Sequence, residues 1–432
     1  MLRDGPGRHD ASMDLLPDLC RFLDASPCPS LAADTIVADL GAAGFRTLDL
    51  ADADWALAPG RYLVRRGAAL IAFVIRSSVA KRFHLVGAHT DSPHLRLKPR
   101  APYHCEGCKQ FAVEVYGGAL TNSWLDRDLG LAGMVYSSNG RRASVRIHKP
   151  LARVAQLAIH LDRKIHDEGL KLNAQNHLAP LWGLGGDAAA EFCELLAGAS
   201  GIAASEISSH DLSLYDLTPA AIGGSRGEFL FSGRLDNLAS CHAGVQALLT
   251  ATDGNMTTIP VFAAFDHEEV GSDSDAGAGG PLLATTLERI SLALGWSRAA
   301  FLAALSGSVL LSADMAHAIH PNYVEKHEPR HKPQLGQGPV LKSNSNQRYA
   351  TSGETAAYVR GLAKTAAICI QDFVTRSDLG CGSTIGPITA ANLGIAVADL
   401  GNPMLSMHSA RECAATADHE PYVRLLAAHL RG

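Results

Sequence analysis

The sequence has no long apolar segment. None of its apolar runs approaches the ~20 residues that a membrane-spanning helix needs. Residues 1–10 also lack the apolar core of a secretory signal peptide. These two absences predict a protein of the cytoplasm that has no contact with a membrane.

An excess of basic residues is also absent. The 38 Lys and Arg residues are outnumbered by 43 Asp and Glu residues, and the net charge of −5 argues against a nucleic-acid partner. Nine cysteines, an odd number spread along the chain, fit a reducing compartment better than a disulfide framework. His104, Cys105 and Cys108 resemble half of a zinc knuckle, but no second Cys-x-x-Cys completes it. A surface loop is therefore the favoured interpretation of that motif.

The composition is that of a globular protein with a large core. The chain has 432 residues, of which 47% are hydrophobic and 19% charged, and this length favours two domains. Apolar strand-like runs alternate with helical periodicity, which predicts an α/β fold with a mixed, largely parallel sheet flanked by helices. Between residues 97 and 228 the pattern changes to alternating strand-like runs with glycine turns. We therefore expect an inserted β-rich domain at 97–228, between two parts of a main domain at 13–96 and 229–432, after a loose tail at 1–12.

Local patterns predict the individual elements. Helices are expected from Leu15 through Phe22, from an N-cap at Ser30 to Ala43, and at Ala152–His166, Ala188–Leu196, Leu238–Leu249, Leu282–Leu294 and Gly353–Thr365. Strands of the main domain are expected at Tyr62–Val64, Ala69–Ile75, Phe83–Val86, Phe229–Phe231, Val261–Phe265, Val309–Leu311 and Ile395–Leu400.

The central motif begins with the apolar run Val261–Phe265 and ends in four ionisable residues, Asp266–Glu269. Burying unpaired charges is costly, and a metal ion is a suitable partner for them. Because successive residues leaving a strand point in opposite directions, Glu269 can bind a metal while Glu268 faces the substrate as a general base. A solvated turn is the structural alternative for this pair of glutamates.

Further ligand candidates follow other predicted strands or lie in the turns after them. They are His89, Asp236, Asp314 and His408, which join Glu269. Ligand sites of open α/β sheets lie at the carboxyl ends of strands. Two histidines and three carboxylates suit zinc, with manganese or cobalt as alternatives, and five ligands are too many for one catalytic zinc. The set therefore predicts two ions that share a carboxylate and activate a water.

Each ligand candidate also has an ordinary structural explanation when it is taken alone. A histidine at a strand end is usually a satisfied core or surface residue, and an aspartate after a strand usually caps a turn. The prediction rests on five such placements together with the glutamate pair. Asp91, two residues after His89, is expected to orient the imidazole of that ligand.

Five segments resemble, in order along the chain, the signatures of the aspartyl aminopeptidases. They are His89–Pro93, Arg234–Asn237, Asp266–Ser272, Ser312–His317 and Met407–Glu412. The resemblance extends from Phe22 onward. Members of this family are metallopeptidases with two zinc ions that remove an acidic residue from the N-terminus of a peptide.

The resemblance assigns a role to each ligand candidate. It implies that His89 and Asp314 bind one zinc, and that Glu269 and His408 bind the other. It further implies that Asp236 bridges the two ions, with Glu268 as the base.

The resemblance also implies substrate-binding roles for His317, Lys342 and Tyr349. A lysine is a sound partner for an acidic side chain in a desolvated pocket, although Lys342 alone would be interpreted as a surface lysine and Tyr349 alone as a core aromatic.

His160 alone is a histidine on a helix face. The resemblance implies that it reaches the active site of a neighbouring subunit, that the inserted domain mediates dimer contacts, and that twelve subunits form a tetrahedral particle.

Two other functions remain as alternatives. The same metal chemistry serves a neutral aminopeptidase or an amino-acid deacylase, which would differ only in the pocket. A non-catalytic shell or binding protein stabilised by metal is the alternative from another class, but a shell has no need of a base such as Glu268 beside its ions.

Overall fold

The computed structural model of the chain describes residues 15–251 and 253–432. The predicted tail at 1–12 and the start of the predicted main domain at Met13 lie outside these residues. The strands in chain order are β1 (Arg46–Thr47), β2 (Gly60–Arg66), β3 (Ala69–Ile75), β4 (Arg82–His89), β5 (His94–Cys105), β6 (Cys108–Tyr116), β7 (Leu129–Ser137), β8 (Arg142–Ala152), β9 (Leu181–Leu184), β10 (Ile207–Asp216), β11 (Ala221–Gly223), β12 (Phe229–Ser232), β13 (Thr258–Phe265), β14 (Val309–Ala313), β15 (Ala316–His317), β16 (Val340–Ser343), β17 (Gln371–Val374), β18 (Ala396–Gly401), β19 (Pro403–Leu405) and β20 (Glu412–Ala415).

The helices cover the sheets and connect their strands. In chain order they are α1 (Leu15–Ala25), α2 (Pro29–Ala42), α3 (Ile165–Glu168), α4 (Ala188–Ser200), α5 (Leu235–Thr250), α6 (Leu282–Ala293), α7 (Arg298–Ser306), α8 (Gly353–Thr365), α9 (Ile385–Leu393) and α10 (His419–Arg431). In the part of the chain that the structure describes, no helix is both long enough and apolar enough to cross a membrane.

The largest sheet has the strand order β1-β2-β3-β13-β4-β14-β18-β16-β17. Its four central strands, β13, β4, β14 and β18, run parallel to one another. Every residue of β13 and of β3 is buried, as expected for strands covered on both faces. This confirms the predicted α/β fold with a mixed, largely parallel sheet.

Helices lie on both faces of this sheet and form two separate cores. One core includes Phe22 of α1 and Leu238 of α5, and the helices α2, α8 and α10 contribute to the same face. The other core includes Leu287 of α6, Phe301 of α7 and Ile385 of α9. The alternation of strand side chains between two apolar layers explains the unbroken apolar runs in the sequence.

A second sheet, entirely antiparallel, forms from residues between His94 and Asp216. Its order is β8-β7-β10-β5-β6-β9, and α4 packs against it through Phe192 and Leu196. A third sheet, in the order β11-β12-β20-β19-β15, joins strands that are far apart in the sequence. This third sheet brings the segment after β19 close to the start of α5.

The predicted helix at Ala152–His166 is wrong. Residues up to Ala152 continue β8, and Arg153 exchanges two backbone hydrogen bonds with Leu181, both 2.9 Å long. This pairing fixes an extended backbone where the helix was expected to begin, and only Ile165–Glu168 is helical. The predicted N-cap at Ser30 is also wrong, because α2 begins at Pro29 after Cys28, and proline is favoured in the first turn of a helix.

Candidate metal centre

The ends of neighbouring parallel strands bring the ligand candidates together. His89 is the last residue of β4, Asp314 directly follows β14, and the two glutamates follow β13 in a short 3₁₀ helix at Glu268–Val270. Because β13, β4 and β14 are adjacent and parallel, their carboxyl ends lie at one edge of the sheet. Asp236 reaches this edge from the first turn of α5.

One group of potential ligands forms around His89. Its Nε2 atom lies 3.6 Å from Oδ1 of Asp236 and 3.6 Å from Oδ1 of Asp314. These three residues are buried, and they offer ligand atoms that all lie within 4.8 Å of one another.

A second group forms around His408, in the segment after β19. Its Nε2 atom lies 3.4 Å from Oδ2 of Asp236 and 3.3 Å from Oε2 of Glu269. Asp236 therefore turns one carboxylate oxygen towards His89 and the other towards His408. This is the arrangement that a carboxylate shared by two ions requires.

The donor atoms fit zinc. Ligand atoms 2.0–2.1 Å from a tetrahedral ion lie about 3.3 Å apart, close to the 3.3–3.6 Å separations around the two histidines. Within the described residues, Oδ1 of Asp236 and Oε1 of Glu269 are buried and accept no hydrogen bond. Buried carboxylate oxygens without a donor are costly unless a cation binds them, so the site suits divalent ions.

Asp91 supports the first histidine. The Nδ1 atom of His89 lies 3.0 Å from the backbone oxygen of Asp91 and 3.3 Å from its Oδ1 atom. The carboxylate of Asp91 also accepts hydrogen bonds from the backbone amides of Glu268 and Glu269, both at 3.1 Å. Burial opposes ionisation, but the hydrogen bond and charge of His89 outweigh it and lower the pKa of Asp91.

Glu412 supports the second group and was not among the predicted site residues. Its carboxylate accepts a 2.7 Å hydrogen bond from the backbone amide of His408 and a 3.2 Å bond from that of Asp236. Burial raises the pKa of Glu412 to about 8. Its presence in the last family-like segment was the only sequence signal for it.

Glu268 lies beside His89 at the edge of the two groups of ligands, and part of its side chain is exposed to solvent. One of its oxygens lies 3.9 Å from Nε2 of His89, and its side chain is 14% exposed. Burial, followed by the nearby aspartates, raises the pKa of Glu268 to about 8, and burial raises the pKa of Glu269 well above its usual value. Burial also opposes ionisation of Asp314, but the charge of Lys342 outweighs it and lowers the pKa of that carboxyl.

Lys342 lies under the site, not at its surface. Its side chain is 2% exposed, and its Nζ atom donates to Oδ2 of Asp314 at 3.1 Å and to the backbone oxygen of Met315 at 3.0 Å. The same atom lies 5.1 Å above the ring of Tyr349. An ammonium group has three donors, so one proton remains after these two bonds.

A cavity of about 310 Å³ lies next to the segments that carry Asp314 and His408, since His317 and Met407 are among the residues that line it. His317 and Tyr349 line it, together with Lys326, Arg376 and Phe373. Two of the three predicted substrate-binding residues, His317 and Tyr349, thus lie in the cavity wall. The third, Lys342, lies behind the ring of Tyr349.

His160 is not brought to this site within the chain. It lies in an exposed turn at the end of an irregular segment, residues 155–160. Three apolar side chains nearby are exposed, namely Leu157 at 57%, Ile159 at 45% and Leu161 at 76%. Cys105 and Cys108 face each other across the β5–β6 turn and belong to none of the potential metal groups found in the described residues.

Comparison with known proteins points to one family. A sequence model of the family described as "Aminopeptidase I zinc metalloprotease (M18)" matches residues 22–429. A probable M18 family aminopeptidase 2 of Streptomyces avermitilis is 47% identical over 420 residues, which cover 96% of this chain and 97% of that protein.

Two solved structures have the same fold over nearly the whole chain. Ape4, solved in complex with Nbr1, matches with a TM-score of 0.92 and 37% identity over 97% of this chain and 86% of that chain. The S. cerevisiae mApe1 dodecamer matches with a TM-score of 0.84 and 26% identity over 97% of each chain.

Proposed function

The chain belongs to the M18 family of zinc metalloproteases and is an aminopeptidase, and we propose that it removes aspartate or glutamate from the N-termini of peptides with two bound metal ions. The observation that carries the proposal is the shared aspartate. Asp236 lies within 3.6 Å of His89 and 3.4 Å of His408 through different oxygens. Two ions held in this way explain a set of five ligands that one catalytic zinc does not need.

His89 and Asp314 would hold one ion, Glu269 and His408 the other, and Asp236 both. When bound, such ions lower the pKa of water and stabilise negative charge on the attacked carbonyl group. Zinc is the expected metal, with manganese or cobalt as alternatives.

Glu268 serves as the general base of the proposed reaction. Bound cations would lower the pKa of Glu268 from the value that burial gives it, and its ionised carboxylate would then accept a proton from the attacking water and pass it to the leaving amine. The partial exposure of Glu268 allows contact with substrate. The backbone of Glu268 is held in place because the amides of Glu268 and Glu269 both donate hydrogen bonds to Asp91. Asp91 thereby positions two groups, the imidazole of His89 and the general base Glu268.

The charges around the cavity support a preference for acidic side chains. The cations Lys326 and Arg376 line the cavity with His317 and a single carboxylate, Glu328, and Lys342 retains one donor below Tyr349. A carboxylate that leaves water needs such partners. We propose that His317, Lys342 and Tyr349 contact the substrate's terminal residue.

One observation favours a second candidate, an aminopeptidase for neutral residues. The same cavity has an apolar wall that includes Phe373, Leu405 and Met407, and Arg376 is already bound to Asp378 at 2.6 and 2.8 Å. The volume of the cavity also exceeds that of an aspartate side chain.

We further propose that the chain works as a homo-oligomer in the cytoplasm. The dodecamer formed by the related S. cerevisiae protein and the exposed apolar side chains of Leu157, Ile159 and Leu161 support a tetrahedral particle of twelve subunits. In this proposal residues 97–228 form the dimerisation domain, and His160 enters the active site of a neighbouring subunit. An isolated subunit is then expected to be nearly inactive.

Metal analysis of the purified protein, combined with a substrate panel, tests the proposal. We expect two divalent ions per chain and faster hydrolysis of aspartyl and glutamyl peptides than of leucyl or alanyl peptides. Faster hydrolysis of the neutral peptides would replace the acid-specific function with the second candidate. A protein that binds metal but cleaves neither class would be a non-catalytic shell.

A further inference from the structure

Three consecutive residues of the second sheet region contact the metal centre without supplying a ligand. They are Tyr116, the last residue of β6, and the two glycines that follow it, Gly117 and Gly118. The remainder of β6 pairs with β5 and β9, away from the site. Segment 116–118, at the end of β6, therefore connects the six-stranded sheet to the metal centre.

Tyr116 acts on the first group of ligands through Asp91. Its hydroxyl donates a 2.8 Å hydrogen bond to Oδ2 of Asp91, and both residues are buried. Asp91 in turn lies 3.3 Å from Nδ1 of His89. The Tyr116 ring is held independently by stacking on His94, with centroids 4.6 Å apart. The hydroxyl thus reaches Asp91 from a fixed position.

The glycines act on the second group by close approach. The backbone oxygen of Gly118 lies 3.1 Å from Nδ1 of His408, which fixes the imidazole so that Nε2 faces Asp236 and Glu269. A Cβ atom on Gly117 would lie 3.0 Å from the Cβ of Glu269, and one on Gly118 would lie 3.2 Å from Nδ1 of His408. A side chain at either position would therefore crowd Glu269 or His408.

We propose that Tyr116 is a positioning residue for the metal centre, and that segment 116–118 couples the six-stranded sheet to the affinity for metal. The hydroxyl orients Asp91, Asp91 orients His89, and the Gly118 carbonyl orients His408. Partners that orient metal-binding histidines commonly change metal affinity 10–100-fold when they are removed. This inference rests on the proposed metal centre.

The test is zinc affinity of the full-length protein, measured by competition with a chromophoric chelator. Tyr116→Phe keeps the ring and its stacking on His94 but removes the hydroxyl, and we expect roughly tenfold weaker zinc binding. The matched control is Tyr136→Phe. Tyr136 lies on β7 of the same sheet, with its hydroxyl near Asp211 and not near any proposed ligand. Its zinc affinity should equal that of the wild type.

Two further variants identify the route. In an Asp91→Asn background, Tyr116→Phe should add little, because the effect passes through Asp91. Gly118→Ala should weaken zinc binding on its own, because its Cβ displaces His408, and it leaves the Tyr116–Asp91 bond in place. This arm remains informative if Tyr116→Phe folds poorly.

Unchanged zinc affinity in Tyr116→Phe, or an equal loss in Tyr136→Phe, would overturn the positioning role. A wild-type protein that binds zinc tightly separates this failure from a failure of the metal centre itself. Wild-type protein that binds no zinc would contradict both proposals.

Discussion

Charged side chains at the edge of the nine-stranded sheet differ from those on the six-stranded sheet in their burial and in whether they have a partner in the chain. At the edge, the side chains of Asp236 and Glu269 are each only 5% exposed, and in the described structure each retains an oxygen without a hydrogen-bond donor. On the six-stranded sheet, exposed charges pair directly, as in Arg96 with Asp211 and Arg141 with Glu206. A carboxylate with a partner in the chain has a structural explanation, whereas a buried one without a donor is suited to bind a cation.

The largest expected contrast between the regions concerns two glutamates. Glu268→Gln should leave the metal content unchanged, because Glu268 is not one of the proposed ligands, but lower kcat by roughly 10²–10⁴-fold through loss of the proposed base. Glu206→Gln, the control, removes only an exposed partner of Arg141 and should leave kcat unchanged. Steady-state kinetics and metal analysis of both variants check this. Full activity in Glu268→Gln would place the base elsewhere.

Two buried lysines give the next contrast. Lys342→Ala removes the proposed cationic partner of the substrate's acidic side chain, and we expect kcat/KM for acidic peptides to fall by roughly 100-fold, as for loss of a buried charge pair. The fall should be much smaller for neutral peptides. Lys109, buried on β6 and paired with Glu191, is the control, because Lys109→Ala should lower stability without changing the ratio of acidic to neutral hydrolysis. Equal losses on both substrate classes in Lys342→Ala would remove its role in specificity.

Acid should destabilise both regions because each contains a buried histidine that is neutral in the folded protein. Burial lowers the pKa of His94, at the start of β5, to about 4, and that of His429, on α10, to about 3. An unfolded histidine has a pKa near 6.5, so the unfolded chain binds more protons below that pH. The stabilising contribution is complete above pH 6.5 and is lost as the pH falls towards 4.

The size of this effect can be measured at one position. Between pH 7 and pH 5, His94 should account for about 2 kcal/mol of the loss in unfolding free energy. Urea unfolding of wild type and His94→Asn at both pH values checks this, since the asparagine variant should lose stability less steeply. Parallel pH dependences in the two proteins would mean that His94 is not buried in its neutral form.

The smallest effect is expected at the exposed pair Arg96–Asp211. Asp211→Asn should change the free energy of unfolding by less than about 1 kcal/mol, because exposed ion pairs contribute little. Thermal and urea unfolding measure this directly. A loss of several kcal/mol would show that the surface charges of the second sheet are as important as the buried ones at the edge.

Residues at the ends of apolar strands were predictable because the sequence itself marks them. His89 and Asp314 follow runs whose burial is evident, and parallel pairing then brings these ends together. Tyr116 and Gly118 gave no such signal, since their contacts with Asp91 and His408 depend on how one sheet docks on another. The failed helix at 152–166 has the same origin, because its composition suits a helix while Arg153 pairs with Leu181, a partner 28 positions away.

Glu412 also has a consequence for biosynthesis. Its carboxylate accepts hydrogen bonds from the amides of Asp236 and His408, and β18, which completes the parallel core between β14 and β16, also lies late in the chain, at Ala396–Gly401. A nascent chain on the ribosome therefore lacks these contacts until Glu412 has been translated. The peptidase is thus expected to stay harmless to newly made N-termini around it until this segment has emerged and folded.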